Sequence, residues 1–145
     1  MLLALDSSVL VSLFLKDPHN DLAEALLSAH AGPVLISPLN GLEFHNALGL
    51  RVHREELDPE QRNRIQRIFD HQAQTGRFVL KEAGPRVWER ATRLAQDYTP
   101  RFSCRSLDVW HVAFALEVKA PAFWSFDQRQ RRFAKAVGLK LNPLD

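Results

Sequence analysis

Short apolar runs alternate with stretches of helical periodicity along the whole chain. The residues from Leu2 to Leu5 are all apolar, and Val34 to Ile36 and Phe78 to Leu80 are further runs of this kind. Ala122 to Phe126 is apolar except for Ser125. Such runs are typical of strands that are buried on both faces of a parallel sheet. Together with Leu139 to Leu141, which we expect at an edge, they predict five strands.

Between these runs, apolar residues recur at intervals of three and four, which predicts helices. The helix beginning at Asp58-Pro59-Glu60-Gln61 has the clearest start, because Asp58 can cap it, Pro59 suits its first turn and Gln61 can complete a capping box. Thr75-Gly76 is expected to end that helix. The predicted helices are Val9 to Leu15, Asp17 to Ala29, Pro38 to Arg54, Asp58 to Thr75, Pro85 to Asp97, Ser106 to Val118 and Gln128 to Val137.

The ends and faces of three helices can also be predicted. Tyr98-Thr99-Pro100 should end the fifth helix, and Gly138 suits the left-handed position after the last one. On the third helix the predicted apolar stripe is Leu39, Leu42, Ala47 and Leu50, whereas Ser106 to Val118 is apolar nearly all round and should be central and buried. The alternation of strands and helices predicts an α/β three-layer sandwich with a mainly parallel sheet of about five strands, flanked by helices.

The composition indicates one folded domain over residues 1–145, since 46% of the residues are hydrophobic and 25% are charged. Cys104 is the single cysteine, which excludes an internal disulfide and a cysteine-based zinc site and favours a reducing cytoplasm. The apolar N-terminal stretch contains Asp6 and has no basic start, so it does not resemble a secretory signal. We therefore expect a cytoplasmic protein without a membrane partner.

Basic residues are concentrated after Leu50. Lys16 precedes it, the other eighteen lysines and arginines follow, and fourteen of the nineteen are arginine. Because a guanidinium group suits phosphate oxygens, this distribution is compatible with a nucleic-acid partner, although a solvated helix face is the stronger interpretation. The candidates for phosphate contact are Arg129, Arg131 and Arg132, which form a cluster just after Asp127.

Four acidic residues occupy positions that suggest a site. Asp6 directly follows the first strand and Asp127 the fourth, and the carboxyl ends of parallel strands are where sites form. Either residue could instead be a helix cap. Glu43 shares a helical face with apolar residues, where an unpaired ionised carboxylate costs several kcal/mol to bury, so it needs a partner or a metal. Asp108 lies in the most hydrophobic helix, where its first-turn position relieves the cost somewhat through backbone amides and the helix dipole.

A divalent cation would relieve the repulsion between clustered carboxylates. Ligands that are all oxygen select hard cations, and Mg²⁺ or Mn²⁺ held by carboxylates and waters is a common arrangement for phosphodiester hydrolysis. The residues thus predict a candidate metal site, without showing which acid would serve as general base.

Four segments of the chain resemble the motifs of the PIN-domain ribonucleases, and specifically of the VapC-type toxins of bacterial toxin-antitoxin pairs. The resemblance extends over nearly the whole chain and places the four acids in the family's order. Bulky Trp110 and Phe114 depart from the usual third motif, which often has smaller residues. The four segments are Leu3-Ala4-Leu5-Asp6-Ser7-Ser8-Val9-Leu10, Leu42-Glu43-Phe44-His45-Asn46-Ala47-Leu48, Arg105-Ser106-Leu107-Asp108-Val109-Trp110-His111-Val112-Ala113 and Ser125-Phe126-Asp127.

The resemblance implies a PIN-like fold with a five-stranded parallel sheet and a Mg²⁺- or Mn²⁺-dependent endoribonuclease that cleaves structured RNA such as tRNA or rRNA. It implies that the acids at positions 6, 43, 108 and 127 bind metal and catalyse. We expect the hydroxyls of Ser7 and Ser125 to support the site, although a capping role explains these residues equally well. It also implies homodimers and inhibition by a cognate antitoxin protein. We expect the antitoxin to contact the acidic site or helices such as that from Leu39 to Arg54.

Other interpretations of the same residues remain open. An aspartate-nucleophile phosphatase would need an acid two residues after Asp6, where Ser8 stands. A PIN-like fold retained only for binding RNA or protein is the main alternative, although the presence of all four acids argues against it. His111 is expected to be a core histidine rather than a metal ligand, and the three tryptophans, Trp88, Trp110 and Trp124, are expected in the core.

Overall fold

The structure is a computed structural model that describes residues 1–144. Strands and helices alternate much as the apolar pattern predicts. The strands are β1 (Leu3–Leu5), β2 (Val34–Ile36), β3 (Phe78–Leu80), β4 (Ala122–Trp124) and β5 (Lys140–Leu141). The helices are α1 (Ser7–Phe14), α2 (Asn20–Ala29), α3 (Pro38–His53), α4 (Pro59–Gln74), α5 (Pro85–Phe102), α6 (Ser106–Glu117) and α7 (Gln128–Ala136).

The five strands form a parallel sheet in the order β3-β2-β1-β4-β5, which confirms the predicted fold class. Register pairs Leu3 with Ala122 and Leu5 with Trp124. The chain builds the sheet outward from β1 through β2 to β3 and then returns to the other side of β1 with β4. The direction of winding therefore reverses between β1 and β4, and ligand sites in parallel sheets form at such a reversal.

Alternate residues of the strands feed two cores, one on each face of the sheet. Leu3 and Leu5 of β1 pack with residues of helices α1 to α4, whereas Ala4 packs with residues of α5, α6 and α7. Successive side chains of a strand point to opposite faces, so a strand with two cores must be apolar throughout. This requirement produces the continuous apolar runs in the sequence.

Helix α6 lies at the centre of the second core, as predicted. Seven consecutive residues, Val109 to Ala115, are buried on it. Helix α4 begins with the predicted capping box, in which Asp58 Oδ1 accepts from Gln61 N at 2.7 Å and Gln61 Oε1 accepts from Asp58 N at 2.9 Å. Gly138, with φ of 96°, occupies the predicted left-handed position after α7.

The predicted apolar stripe on α3 was wrong at Leu42 and Leu50, whereas Leu39 packs against the second core. Leu42 and Leu50 are 67% and 42% exposed, whereas Asn40, Phe44 and Leu48 face the interior. Asn40 can be buried because its amide is fully engaged: its side-chain oxygen accepts from Ser37 N at 2.9 Å, and its nitrogen donates to Ser7 Oγ at 2.8 Å. A satisfied polar residue on the inner face thus shifted the apparent phase of the helix.

Several boundaries also differ from the prediction, among them that of α1, which spans Ser7–Phe14. Helix α5 continues through Pro100 to Phe102, because Tyr98 and Phe102 pack against Phe133 at ring distances of 5.7 and 6.2 Å and this burial offsets the lost backbone hydrogen bond. Strand β4 ends at Trp124, since the next backbone N–H donates to the side chain of Asn142 instead of to a strand. Helix α2 begins at Asn20 rather than at residue 17.

The tryptophans differ in burial. Trp110 and Trp124 are in the core as expected, but Trp88 is 58% exposed and the expectation for it was wrong. Trp88 lies at the edge of the second core, and the centroids of its ring and of the Trp110 ring are 5.6 Å apart, so one indole covers the other. Among the described residues, no helix is both long and apolar enough to cross a membrane.

Candidate active site

Asp6 stands at the carboxyl end of β1 and opens α1. Its backbone N–H extends the sheet by donating to Trp124 O at 2.9 Å, and its side chain caps the helix by accepting from Ser8 N at 3.1 Å. The Ser8 hydroxyl donates to the same carboxylate oxygen. The side chain is buried, so the capping interpretation of Asp6 is correct as far as it goes, and Ser8 supports the carboxylate rather than replacing a second acid.

Asp127 has the same local role on the neighbouring strand. It caps α7 by accepting from Gln130 N at 2.9 Å, and its own N–H donates to Ser125 Oγ at 3.1 Å. In contrast to Asp6, the residue is exposed. Both strand-end acids therefore stabilise helix starts and also face the reversal point of the sheet.

Gln130 links these two acids with the third. Its side-chain nitrogen donates to Asp6 Oδ1 and to Asp108 O, each at 3.2 Å, and its side-chain oxygen accepts from Ser125 Oγ at 2.6 Å. The residue is completely buried. One carboxamide thus holds the ends of β1 and β4 and the first turn of α6 in register.

Glu43 is held by a buried pair, Ser7 and His111. Ser7 Oγ donates to Glu43 Oε1 at 2.8 Å, and His111 Nε2 approaches the same oxygen at 2.6 Å. Burial acts to raise the pKa of Glu43, but the hydrogen bond and charge of His111, together with the Ser7 hydroxyl, lower it below its usual value. Glu43 is consequently a half-buried carboxylate whose charge is already compensated by protein groups.

Asp108 lies in the first turn of α6 with its side chain 18% exposed. Arg105 Nε is 3.2 Å from its Oδ2, and this contact raises the pKa of the arginine. Arg105 is 82% exposed, so the pair lies at the surface and contributes little to stability. Asp108 is thereby oriented at the edge of the site without being buried.

The structure places all four predicted acids around the same edge of the sheet. Gln130 contacts residues 6, 108 and 127, and Ser7, the neighbour of Asp6, contacts Glu43. Within residues 1–144, however, the carboxylates are not already gathered: no group of three or more histidine, cysteine, aspartate or glutamate side chains is close enough to hold a metal ion.

The donor set nevertheless fits a hard divalent cation. All the candidate ligands are carboxylate oxygens, Asp127 is exposed, and the two contacts of Glu43 both fall on Oε1. Mg²⁺ commonly keeps several waters and is held by one or two protein carboxylates together with substrate phosphate. A closed protein cage is therefore not required for the ion that the sequence predicts.

The supporting residues and basic candidates have different surroundings. Ser7 and Ser125 are buried and donate hydrogen bonds to Glu43 and Gln130, respectively. Arg131 donates to Ser125 O at 2.8 Å and to Asn142 Oδ1 and O at 3.0 and 2.9 Å. Its guanidinium group is therefore occupied by hydrogen bonds within the protein and is no longer a candidate for phosphate contact. Arg129 and Arg132 are exposed and remain candidates.

Burial and the charges of Asp108 and Asp127 raise the pKa of Cys104, which keeps the thiol protonated.

Sequence reasoning missed Gln130 and Asn40, and it treated His111 as a core residue only. Asp127 and Gln130 have the spacing of a capping box, a signal that predicts a reciprocal cap rather than a reach into the site. His111 is indeed buried, at 2% exposure, but it contacts Glu43. Buried polar side chains of this kind leave no periodic signal, so only the fold shows which partner each one finds.

The fold and the site geometry define a class of protein, namely α/β proteins with a parallel sheet and carboxylates at the point where the winding reverses. A family model described as "PIN domain" matches residues 3–136. The chain belongs to the PIN-domain family, which confirms the resemblance seen in its motifs. No curated protein matches the chain by sequence.

Solved structures share the fold at low sequence identity. The chain is similar to the Mycobacterium tuberculosis toxin VapC20, described as cleaving the sarcin-ricin loop, with 15% identity, a TM-score of 0.70, and coverage of 97% of this chain and 99% of that one. A toxin-antitoxin complex from Klebsiella pneumoniae has 18% identity, a TM-score of 0.66 and 94% coverage of both chains. VapBC2 from Rickettsia felis, bound to a DNA fragment from its promoter, has 14% identity, a TM-score of 0.67 and 98% coverage of both.

Proposed function

We propose that this chain is a divalent-metal-dependent endoribonuclease and the toxin of a toxin-antitoxin pair, acting on structured RNA such as tRNA or rRNA. The observation that carries the proposal is the arrangement of Asp6, Glu43, Asp108 and Asp127 around one edge of the sheet, in the order of the family's motifs. Membership of the PIN-domain family and the similarity to toxin structures support it.

The four acids are the proposed ligands of Mg²⁺ or Mn²⁺. When bound, such an ion lowers the pKa of a coordinated water and offsets negative charge on the leaving oxygen. The protein's own contribution is orientation: Ser8 and Gln130 hold Asp6, Ser7 and His111 hold Glu43, and Arg105 holds Asp108. Arg129 and Arg132, exposed beside Asp127, are the proposed contacts for RNA phosphates.

Aspartate-to-asparagine substitutions test this proposal and separate it from the capping role. Asn caps helices about as well as Asp. Asp127→Asn should therefore keep its stability, and Asp6→Asn should fold with a lower Tm because its amide nitrogen faces the donor Gln130 Nε2. Circular dichroism and thermal unfolding check this, while metal-dependent RNA cleavage should fall by about two orders of magnitude or more in both. Exposed Asp70 on α4 offers the matched control, Asp70→Asn, which should cleave normally.

Unchanged cleavage by both site variants would reduce these acids to helix caps. Activity that persists after chelation of metal would exclude the proposed chemistry. A non-catalytic PIN-like module that binds RNA or protein is the alternative, and its supporting observation is that the carboxylates are already compensated by protein donors. Calorimetric titration with Mn²⁺ distinguishes the two. The nuclease should bind Mn²⁺, and Asp6→Asn and Asp127→Asn should abolish that binding, whereas the alternative predicts no such binding.

The toxin assignment implies a small antitoxin as partner. Helix α3 carries the exposed apolar residues Leu42 and Leu50 on a surface adjacent to Glu43 and is the proposed contact face. A gene for a small protein immediately upstream would support the assignment. Leu42→Asp should weaken the complex with that protein while leaving RNA cleavage intact, and an unaffected complex would place the contact elsewhere. Sedimentation of the isolated chain tests the proposed homodimer.

A further inference from the structure

An open groove of 580 Å³ lies beside the acids of the site. Its walls come from α1, the connection to α2, α3 and the connection between β4 and α7. Glu43 and Asp127, two acids of the candidate active site, are among its lining residues, so a substrate lying in the groove would contact them. The lining residues are Ser7, Ser8, Val11, Ser12, Asp17, His19, Glu43, Ala47, Arg51, Phe126 and Asp127.

Two aromatic rings in this groove are stacked on each other. The rings of His19 and Phe126 have centroids 4.5 Å apart and an angle of 12° between their planes. Phe126 is partly buried and packs against the first core, whereas His19 is exposed. One face of the imidazole therefore rests on an anchored ring, and its other face is open to a further planar group.

The loop that carries His19 is fixed by hydrogen bonds. Asp17 accepts from Ser12 Oγ at 2.8 Å and from His19 N at 2.9 Å, and Asn20 Nδ2 donates to Ser12 O at 2.7 Å. His19 itself precedes α2 without making a side-chain cap. Its imidazole is thus held in place by its neighbours while having no hydrogen-bonding role in the helix start.

Charge alone would not hold RNA in this groove. Asp17, Glu43 and Asp127 line it, and Arg51, the arginine among the lining residues, is paired with Glu56 at 3.3 Å. Arg129 and Arg132, the proposed phosphate contacts, are not among the lining residues, and the three carboxylates inside the groove repel phosphate groups. Within the groove, affinity in the absence of metal must therefore come from an uncharged part of the substrate. Nucleobases have π faces that stack on aromatic side chains, and stacking does not depend on phosphate charge.

We propose that the stacked pair of His19 and Phe126 is a nucleobase-binding subsite, in which an unpaired RNA base next to the cleaved phosphodiester stacks on the open face of His19. The inference rests on the proposed ribonuclease function and deepens it by naming the substrate feature. Such a subsite selects single-stranded segments and loops, because a base inside a duplex already stacks on its neighbours.

A short single-stranded RNA containing 2-aminopurine tests the subsite, since stacking quenches the fluorescence of this base. Binding is titrated in the presence of a metal chelator so that the RNA stays intact. His19→Ala should weaken binding by about tenfold, the scale of one stacked base, and abolish the quenching. His19→Phe should restore both, and His71→Ala, an exposed histidine of α4 outside the groove, should change neither.

The outcomes separate the subsite from the proposed function. Wild-type protein that cleaves RNA with metal, together with His19→Ala that binds and quenches like the wild type, overturns the subsite alone. If His19→Ala weakens the binding of a duplex of the same sequence as much as that of the single strand, the subsite is also overturned, because a stacking site would not recognise paired bases. A wild-type protein that neither binds nor cleaves RNA overturns both proposals.

Discussion

Replacing Gln130 with methionine removes a buried amide while keeping the size of the side chain. The substitution deletes three hydrogen bonds, to Asp6 Oδ1, to Asp108 O and from Ser125 Oγ. A typical buried hydrogen bond contributes about 1 kcal/mol, and a bond to a charged carboxylate about 1.5 to 3 kcal/mol. We therefore expect a loss of about 4 kcal/mol in the free energy of unfolding, which corresponds to a fall of roughly 12 °C in Tm for a chain of this length.

Urea unfolding followed by circular dichroism measures this loss. Helix α7 should still begin normally, because the cap at Asp127 uses the backbone N–H of residue 130 and not its side chain. Gln128→Met is the matched control on the same helix, and since Gln128 is exposed its stability should change by less than about 0.5 kcal/mol.

A loss below about 1 kcal/mol for Gln130→Met would refute the view that the carboxamide joins the two strand ends. Metal-dependent cleavage should fall as well, because Asp6 loses its partner at Oδ1.

The remaining predictions concern Glu43 and the face of α3. His111→Phe should raise the pKa of Glu43, because burial persists while the compensating partner is lost, and carbon-detected NMR titration of the metal-free protein measures this shift. In the wild type the pKa of Glu43 is depressed, so its stabilising contribution is present above the unfolded pKa of about 4.3 and is lost as pH falls through the folded pKa. If the difference in unfolding free energy between the wild type and His111→Phe does not change across this pH interval, the assignment is contradicted. Phe44→Ala should cost about 3 to 5 kcal/mol of unfolding free energy, whereas Leu42→Ala should cost little, and equal losses would restore the stripe predicted from sequence.

Several elements follow directly from local sequence. The central strands β1, β2 and β4 are predictable because a strand with a core on each face must be apolar at every position. Helix α6 is predictable because it is apolar nearly all round. Prediction failed where tertiary contacts compete with local preference. Pro100 would end an isolated helix, but contacts of the neighbouring aromatic residues with Phe133 extend α5 past it.

The candidate site divides in the same way. Asp6 and Asp127 follow apolar runs, so their place at strand ends was visible without a structure. Glu43 was singled out because a charge among apolar residues needs compensation, but the partners that supply it, Ser7 and His111, lie 36 and 68 positions away in sequence. No local pattern contains that distance information.

The chain contains two Asp-x-x-Gln segments that show the division most clearly. Asp58 and Gln61 are in solvent, and they form the reciprocal cap that the motif predicts. Asp127 and Gln130 have the same spacing, but there the carboxamide turns inward to Asp6 and Asp108. The sequence by itself determined that a helix starts at each segment, because capping is a local interaction. Only the tertiary structure decided the second role, because a buried amide must find its partners among groups that distant parts of the chain bring to it.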